Sequence, residues 1–378
     1  MKKTIIIIPT YNERENIGLI IEQLQDVFTK IKDYEMGILI YDSNSPDGTA
    51  TLVKTYQERF NNIYLQTESK KSGLGNAYIN AMNYAIDTLK ADIIFEFDAD
   101  GSHRPDYLPG MMQKFSNGAD VVLGSRYVEG GSIQKNWAVH RKLLSVVGNI
   151  ITQCILSPKI KDYTTGFRGT RTTFLKKIDL SQLKSRNYAY KIHLLWWLYT
   201  LEAKIVECPI DFIDRKKGYS KLPKNNTIES LLLVFYLRLQ IMERYIKVCC
   251  VGGVGVFIQL ICFNALRHII HPVYANMFGI EIAVISNFLL NNQFVFRESR
   301  LSRHNKFKTW LKKFSLFNGF SLGSLFLQSV IVLLGLDIFG HGALRENTYI
   351  CAGIALGSIY NYKMYRYFVW KNNDYTIE

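Results

Sequence analysis

The sequence is short of several features that would each fix a class of protein. Its six cysteines, Cys154, Cys208, Cys249, Cys250, Cys262 and Cys351, show none of the paired spacings that hold zinc. Several fall in apolar runs, so buried free thiols are expected. Met1-Lys2-Lys3 leads straight into a short β-branched run, which is not the pattern of a secretory signal peptide. Acidic side chains are outnumbered, with 32 Asp and Glu against 46 Lys and Arg, for a formal net charge of +14. That excess comes without a nucleic-acid-binding motif, so a nucleic-acid partner is not expected. The basic residues cluster beside apolar segments instead, which points to anionic lipid and phosphate.

What is present is unevenly spread. The chain has 378 residues, 48% of them hydrophobic and 21% charged, and its mean hydropathy is close to zero. Up to about residue 240 charged and apolar residues alternate in the usual globular way, while from Val248 long apolar stretches dominate. The division expected is a soluble domain over 1–223, an interfacial amphipathic helix over 224–247 and a membrane domain over 248–378.

Within the first domain, Thr4–Pro9, Met36–Tyr41, Ile63–Gln66, Ile93–Phe97 and Val121–Gly124 read as buried strands. Asn12–Lys30, a segment starting at Asp47-Gly48-Thr49, and Gly75–Lys90 read as helices between them. Alternation of this kind predicts an α/β fold with a doubly wound parallel sheet. Ligands of such sheets bind beyond the carboxyl ends of the strands, and the polar segments fall there. Pro9-Thr10-Tyr11-Asn12-Glu13 follows the first strand, Asp42-Ser43 the second and Asp98-Ala99-Asp100 the fourth. Two carboxylates spaced i, i+2 after a strand can both face one divalent ion, and Mg²⁺ takes few carboxylates when phosphate oxygens complete its shell. An Asp-x-Asp by itself is a weak signal; its place at a strand end is what strengthens it.

Seven ordered segments then carry a specific resemblance. They are PTYNEREN from Pro9, DSNSPDGT from Asp42, KSGLGNAY from Lys71, DADGSHRP from Asp98, GSRY from Gly124, TTGFRGTR from Thr164 and RKKGYSK from Arg215. The order resembles that of dolichyl-phosphate mannose synthases and their polyprenyl-phosphate glucosyltransferase relatives, within the inverting glycosyltransferase family 2. The resemblance implies a Rossmann-like (GT-A) sheet, a nucleotide-sugar donor, a polyprenyl or dolichyl phosphate acceptor and Mg²⁺ or Mn²⁺. It assigns donor binding to Pro9, Tyr11, Glu13, Asp42, Asp98, Ala99, Asp100, Arg215 and Lys221, with Ser220 in the same closing loop. Metal binding falls to Asp98, Asp100 and Ser102, and the acceptor phosphate to Arg126, Arg141 and Ser145. Asp100, Arg126 and Arg215 are the residues implied to matter most for catalysis. Taken alone, Arg126 and Arg141 also read as ordinary surface arginines, Gly73-Leu74-Gly75 as a simple turn, and His103 and His140 as structural or surface histidines. Three positions depart from the family pattern. Ser43 stands where a second acid is common, Ser102 where Gln is common, and Tyr190-Lys191-Ile192-His193 is followed by Leu and Trp rather than an acid.

Four membrane spans are expected, about Val248–Ile270, Tyr274–Phe296, Phe314–Phe339 and Tyr349–Trp370. The connection Arg297–Lys313 is strongly basic with Glu298 as its one acid, whereas His271-Pro272 and Gly340–Asn347 carry little charge. The excess of positive charge places that connection, the catalytic domain and the C-terminus in the cytoplasm. Asn287-Phe288 with Phe294-Val295-Phe296 is echoed by Asn361-Tyr362 with Phe368-Val369-Trp370. This region resembles the GtrA-like four-helix membrane domains. The function implied is inverting transfer of mannose from GDP-mannose to dolichyl phosphate. Glucose transfer from UDP-glucose, or a non-catalytic lipid carrier, are the alternatives. A processive polysaccharide synthase is disfavoured by the absence of Gln-x-x-Arg-Trp.

Overall fold

The computed structural model describes residues 1–133, 139–185, 187–212, 226–301 and 307–371, apart from the side chains of 139–141 and 226. Two compact units divide between Arg238 and Leu239.

The first unit is built on β1 (Lys2–Thr10), β2 (Tyr34–Asp42), β3 (Ile63–Thr67), β4 (Ile93–Glu96), β5 (Val121–Ser125), β6 (Ser132–Ile133), β7 (Arg168–Arg171), β8 (Ile205–Pro209) and β9 (Asp211–Phe212). Seven of these form one sheet in the order β3-β2-β1-β4-β7-β5-β8, and β6 pairs with β9 beside it. All neighbours in the large sheet run parallel except β7, which is antiparallel to both β4 and β5. The five strands read from the sequence are all present, and β6, β7, β8 and β9 are additional.

Successive side chains of a strand face opposite sides, and β1 shows what that does here. Ile5 and Ile7 enter one core layer and Ile6 and Ile8 the other, all fully buried. A strand covered on both faces needs an unbroken apolar run, and Ile5–Ile8 supply it. Helices α1 (Arg14–Phe28), α2 (Thr49–Arg59) and α4 (Leu108–Ser116) cover the Ile6/Ile8 face. Helices α3 (Leu74–Asp87), α6 (Thr172–Leu175) and α7 (Tyr190–Thr200) cover the other. Between β6 and β7 lies α5 (Val139–Ile155), with Leu143, Leu144, Val147 and Ile150 exposed.

Helix α8 (Asn226–Leu266) is a single helix of 41 residues. The separate interfacial helix and first span read from the sequence are therefore one element. No Pro interrupts it, and it runs on unbroken through Gly252, Gly253 and Gly255, so the basic residues around Lys247 decorate the helix without ending it. Its early residues Leu233, Val234 and Leu237 pack into the core of the first unit.

The second unit contains α9 (Pro272–Leu290), α10 (Phe307–Phe339) and α11 (Ala343–Met364). Both α9 and α11 run on into π-helical turns, Asn291–Val295 and Tyr365–Val369. These turns coincide with the two echoed segments, and their ends meet: Phe296 stacks on Trp370 at 4.6 Å with the rings 4° from parallel. Asn292 ties the same point together, its Oδ1 accepting from Leu301 N (2.8 Å) and Trp370 Nε1 (3.1 Å). Among the described residues three helical stretches are long and apolar enough to cross a bilayer, Thr227–Leu266, Pro272–Val295 and Phe307–Phe339. The fourth expected span forms as α11 but is not one of the three, and Arg345, Glu346 and Lys363 lie within it.

All six cysteines are free, yet Cys208 alone is buried. Cys262 is half-buried, and Cys154, Cys249, Cys250 and Cys351 are not packed into a protein core, so the expected burial holds for Cys208.

Candidate active site

The carboxyl ends of β1, β2 and β4 open onto a cavity of about 500 Å³ inside the first unit. Pro9, Tyr11 and Glu13 line it from the end of β1, and Asp98, Ala99, Asp100 and Ser102 from the end of β4. Arg126 joins them after β5, and Ser145 from α5. Segments far apart in sequence thus converge because parallel strands all deliver their carboxyl ends to one edge.

The turns that present these residues are held by local bonds. Thr10 and Asp42 are register partners at the ends of β1 and β2. The Thr10 hydroxyl donates to Asp42 Oδ1 at 2.8 Å, and Ser45 donates to the same carboxylate through its N–H (2.8 Å) and hydroxyl (2.6 Å). Asp42 is buried and does not line the cavity; Ser43 does. Asn12 takes a left-handed φ of 56° while its N–H donates to Ser45 Oγ (2.9 Å). That turn brings Tyr11 to the rim, with Lys71 Nζ 3.9 Å from its ring centre.

Asp98 sits in a dense polar setting. Tyr78 Oη donates to its Oδ1 at 3.1 Å, and Lys191 Nζ lies 3.4 Å from Oδ1 and 3.5 Å from Oδ2. His103 Nδ1 accepts the Asp98 backbone N–H at 3.2 Å, leaving Nε2 to face the carboxylate at 3.8 Å. Burial opposes ionisation of Asp98, but Lys191, His103 and Tyr78 outweigh it and hold the carboxyl below its ordinary range. The His103 ring is buried between Phe97 and Phe167, and that burial depresses its own pKa against the pull of Asp98. His103 also lines the cavity, its ring held in place by these contacts. Gly166 is required beside it, since a Cβ there would fall on Asp98 Oδ2, Lys191 Nζ and His103 Cε1.

Asp100 follows on the same turn, its Oδ1 accepting from Ser102 N at 3.1 Å. Among the described residues no three His, Cys, Asp or Glu side chains gather closely enough to hold a metal by themselves. Two carboxylates on one cavity wall are the donor set of an ion that takes the rest of its shell from phosphate oxygens. The residues therefore fit a divalent ion that shares its shell with an anionic ligand.

Arg126 is not a surface arginine. It is buried, and its Nε and Nη2 form a forked pair with Asp162 at 2.8 and 2.7 Å, while Nη2 also reaches Thr164 Oγ1 at 2.7 Å. Asp162 is itself held from behind. Glu207 on β8 accepts the N–H groups of Lys161 (2.8 Å) and Asp162 (3.0 Å), and Asn149 on α5 bonds the Lys161 carbonyl and Tyr163 N. Burial raises the cost of ionising Asp162, and Arg126 more than repays it, so the carboxyl stays below its usual range. Ser145 meets Tyr127 Oη at 2.8 Å on the same wall. Asp162, Glu207 and Lys191 belong to the site's framework; sequence reading gave Asp162 and Glu207 no place, and named Lys191 only within the Tyr190–His193 segment, with no role. Arg215, Ser220 and Lys221, and the side chains of His140 and Arg141, lie outside the described residues.

Against this geometry, comparison with known proteins is decisive. Residues 5–179 match the glycosyl transferase family 2 model, and residues 247–370 match the GtrA/DPMS transmembrane domain. The polyprenol monophosphomannose synthase of Mycolicibacterium smegmatis is 36% identical over 234 residues, covering 62% of this chain and 86% of that protein. The chain belongs to glycosyl transferase family 2. The undecaprenyl-phosphate mannosyltransferase of Micrococcus luteus is 34% identical over 58% of this chain and 87% of its own. The dolichol-phosphate mannosyltransferase of Pyrococcus furiosus is 30% identical over 79% of this chain and 82% of its own. This family 2 glycosyltransferase is thus a membrane protein with its transferase domain first and a helical membrane domain after it.

Proposed function

We propose that the enzyme transfers mannose from GDP-mannose to the phosphate of a polyprenyl lipid of the dolichyl type, giving polyprenyl phosphate mannose and GDP. The observation that carries this reading is one cavity shared by the Asp98/Asp100 pair and by Arg126 and Ser145, next to a helix, α5, with exposed leucines. The first pair suits a nucleoside diphosphate with its metal, and the second group suits a phosphate on a lipid. The three relatives are named for mannose transfer, two of them to dolichol phosphate or undecaprenyl phosphate, which favours mannose over glucose.

The chemistry asks little of side chains. The acceptor phosphate is ionised near neutral pH, so its oxygen attacks the anomeric carbon without a general base. The new C–O bond forms as the bond to the donor diphosphate breaks, the electron pair leaves with GDP, and the configuration inverts. Catalysis then rests on positioning and charge. Held by Asp98 and Asp100 with Ser102 alongside, Mg²⁺ or Mn²⁺ would neutralise the departing diphosphate. Pro9, Tyr11 and Glu13 would border the nucleoside, and Asp42 would act on it through the turn it anchors. The forked bond to Asp162 fixes the Arg126 guanidinium, and the Nη1 hydrogens unused by the bonds described suit a phosphate oxygen. Arg141, Arg215 and Lys221 would complete the clamps on acceptor and donor. The membrane domain would span four times, with the catalytic unit cytoplasmic.

The test is an assay of the detergent-solubilised enzyme with radiolabelled GDP-mannose or UDP-glucose, dolichyl phosphate and Mn²⁺. Label should pass into lipid from GDP-mannose. Transfer from UDP-glucose alone would replace mannose by glucose in this reading, and transfer from neither would end it.

A further inference from the structure

Among the described residues, Lys191 is the one buried ammonium, and the proposed chemistry has not used its position. It lies in the first turn of α7, its side chain has no solvent exposure, and it stands behind Asp98 instead of lining the cavity. Its Nζ is nearly equidistant from both Asp98 oxygens, at 3.4 and 3.5 Å. Tyr188 and Tyr78 present their rings to it, with centres 4.7 and 5.7 Å away. The backbone is pinned as well. Arg168 Nη1 donates to the Lys191 carbonyl at 2.9 Å, and Arg168 Nε in turn donates to Glu96 at 2.7 Å. Glu96 also accepts from Tyr190 Oη at 2.6 Å.

This arrangement closes a charge account. Glu96 is matched by Arg168 and Asp98 by Lys191, so the first acid of the pair already has a cation behind it. A divalent ion on the cavity side of Asp98 must share that carboxylate with an ammonium that cannot move away. Two positive charges within a few ångströms repel strongly in a protein interior. An anionic diphosphate, by contrast, meets a wall less negative than two bare carboxylates would make it.

We propose that Lys191 is a positioning residue that acts through Asp98 to set the metal dependence of donor binding: it weakens the hold on the divalent ion and lets the nucleoside diphosphate bind before the metal. The proposal rests on the reading of Asp98 and Asp100 as the donor diphosphate site. It is tested on the full chain in detergent by Mn²⁺ titration followed by electron paramagnetic resonance, and by calorimetric titration of GDP with EDTA or with Mn²⁺. In K191Q, Mn²⁺ alone should bind ~tenfold more tightly and GDP in EDTA ~tenfold more weakly, the size expected of one buried charge at partial screening. K191R should restore both. A lysine with only a structural role would change the two affinities in the same direction, or neither, and that result overturns the proposal. Should K191Q fail to fold, D98N decides: with Lys191 then uncompensated, GDP in EDTA should bind more tightly than to wild type, and weaker binding overturns the proposal. Failure of GDP and UDP to bind the wild type with Mn²⁺ would instead remove the donor-site reading, and the Mn²⁺ titration of K191Q would still decide the role of Lys191.

Discussion

A guanidinium that is buried and bonded on two nitrogens has little freedom left, and Arg126 is in that state against Asp162. Such a pair is weak evidence for added stability while intact, because desolvation offsets attraction. Removing one partner, however, strands the other at a cost of roughly 3–5 kcal/mol. R126A should therefore lower the melting temperature markedly and abolish transfer, whereas R126K should keep the fold yet lose most activity because an ammonium cannot make the fork. Equal activity in R126K and wild type would remove the bidentate geometry from the argument. His193 offers a pH prediction. Burial, with a further push from Lys184, lowers its pKa to about 4, and its Nε2 is buried without a hydrogen-bond partner. Its folded pKa lies below the unfolded one, so the unfolded chain binds the extra proton first. Stability is then full above the unfolded value and falls as pH drops from about 6.5 towards 4, by up to ~1.4 kcal/mol per unit. Melting temperatures across that window should fall less steeply in H193N than in the wild type.

At the scale of elements, the loop from Tyr163 to Phe167 is where the site is tightest. A methyl on Gly166 would meet the carboxylate of Asp98, the ammonium of Lys191 and the His103 ring at once. Overpacking of this kind costs about 1–3 kcal/mol, and here it falls beside Asp98, in the proposed donor site. G166A should retain its secondary structure by circular dichroism and lose GDP affinity in calorimetry. Unchanged affinity would show that the loop yields. The strands were legible where they are continuous apolar runs, as in β1 and β4, since a buried parallel strand needs that composition. β7 was not legible, because Arg168-Gly169-Thr170-Arg171 has no apolar run; its strand character comes from its neighbours, and Arg168 is buried only because Glu96 waits for it. The continuity of α8 was hidden for a similar reason: charges at Arg238, Arg244 and Lys247 look like a boundary in one dimension, while a helix tolerates them on its surface. The strand-end carboxylates were legible from position, but Lys191 was not. A lysine inside Tyr190–Thr200 carries no sign of the partner that β4 brings to it.

For the molecule as a whole, the cavity and both core layers of the sheet lie within residues up to Arg238. A chain ended after Arg238 should still bind GDP with Mn²⁺, seen as a raised melting temperature, but should transfer poorly to a long-chain lipid embedded in vesicles. Loss of binding would show that the membrane domain completes the donor site. Topology is open to labelling. With native cysteines replaced by serine, a cysteine at position 346 should react with a membrane-impermeant maleimide from outside the cell and one at position 308 should not; the reverse pattern would turn the molecule over. The place of β7 carries a last consequence, one of assembly. In space it separates β4 from β5, but in the chain it comes after both. During synthesis, two strands with open edges must therefore wait, facing a gap, until the strand bearing Arg168 arrives to fill it. Open edges are where foreign strands pair. The middle of this sheet, the best-protected place in the finished enzyme, is its most exposed place while the chain is being made.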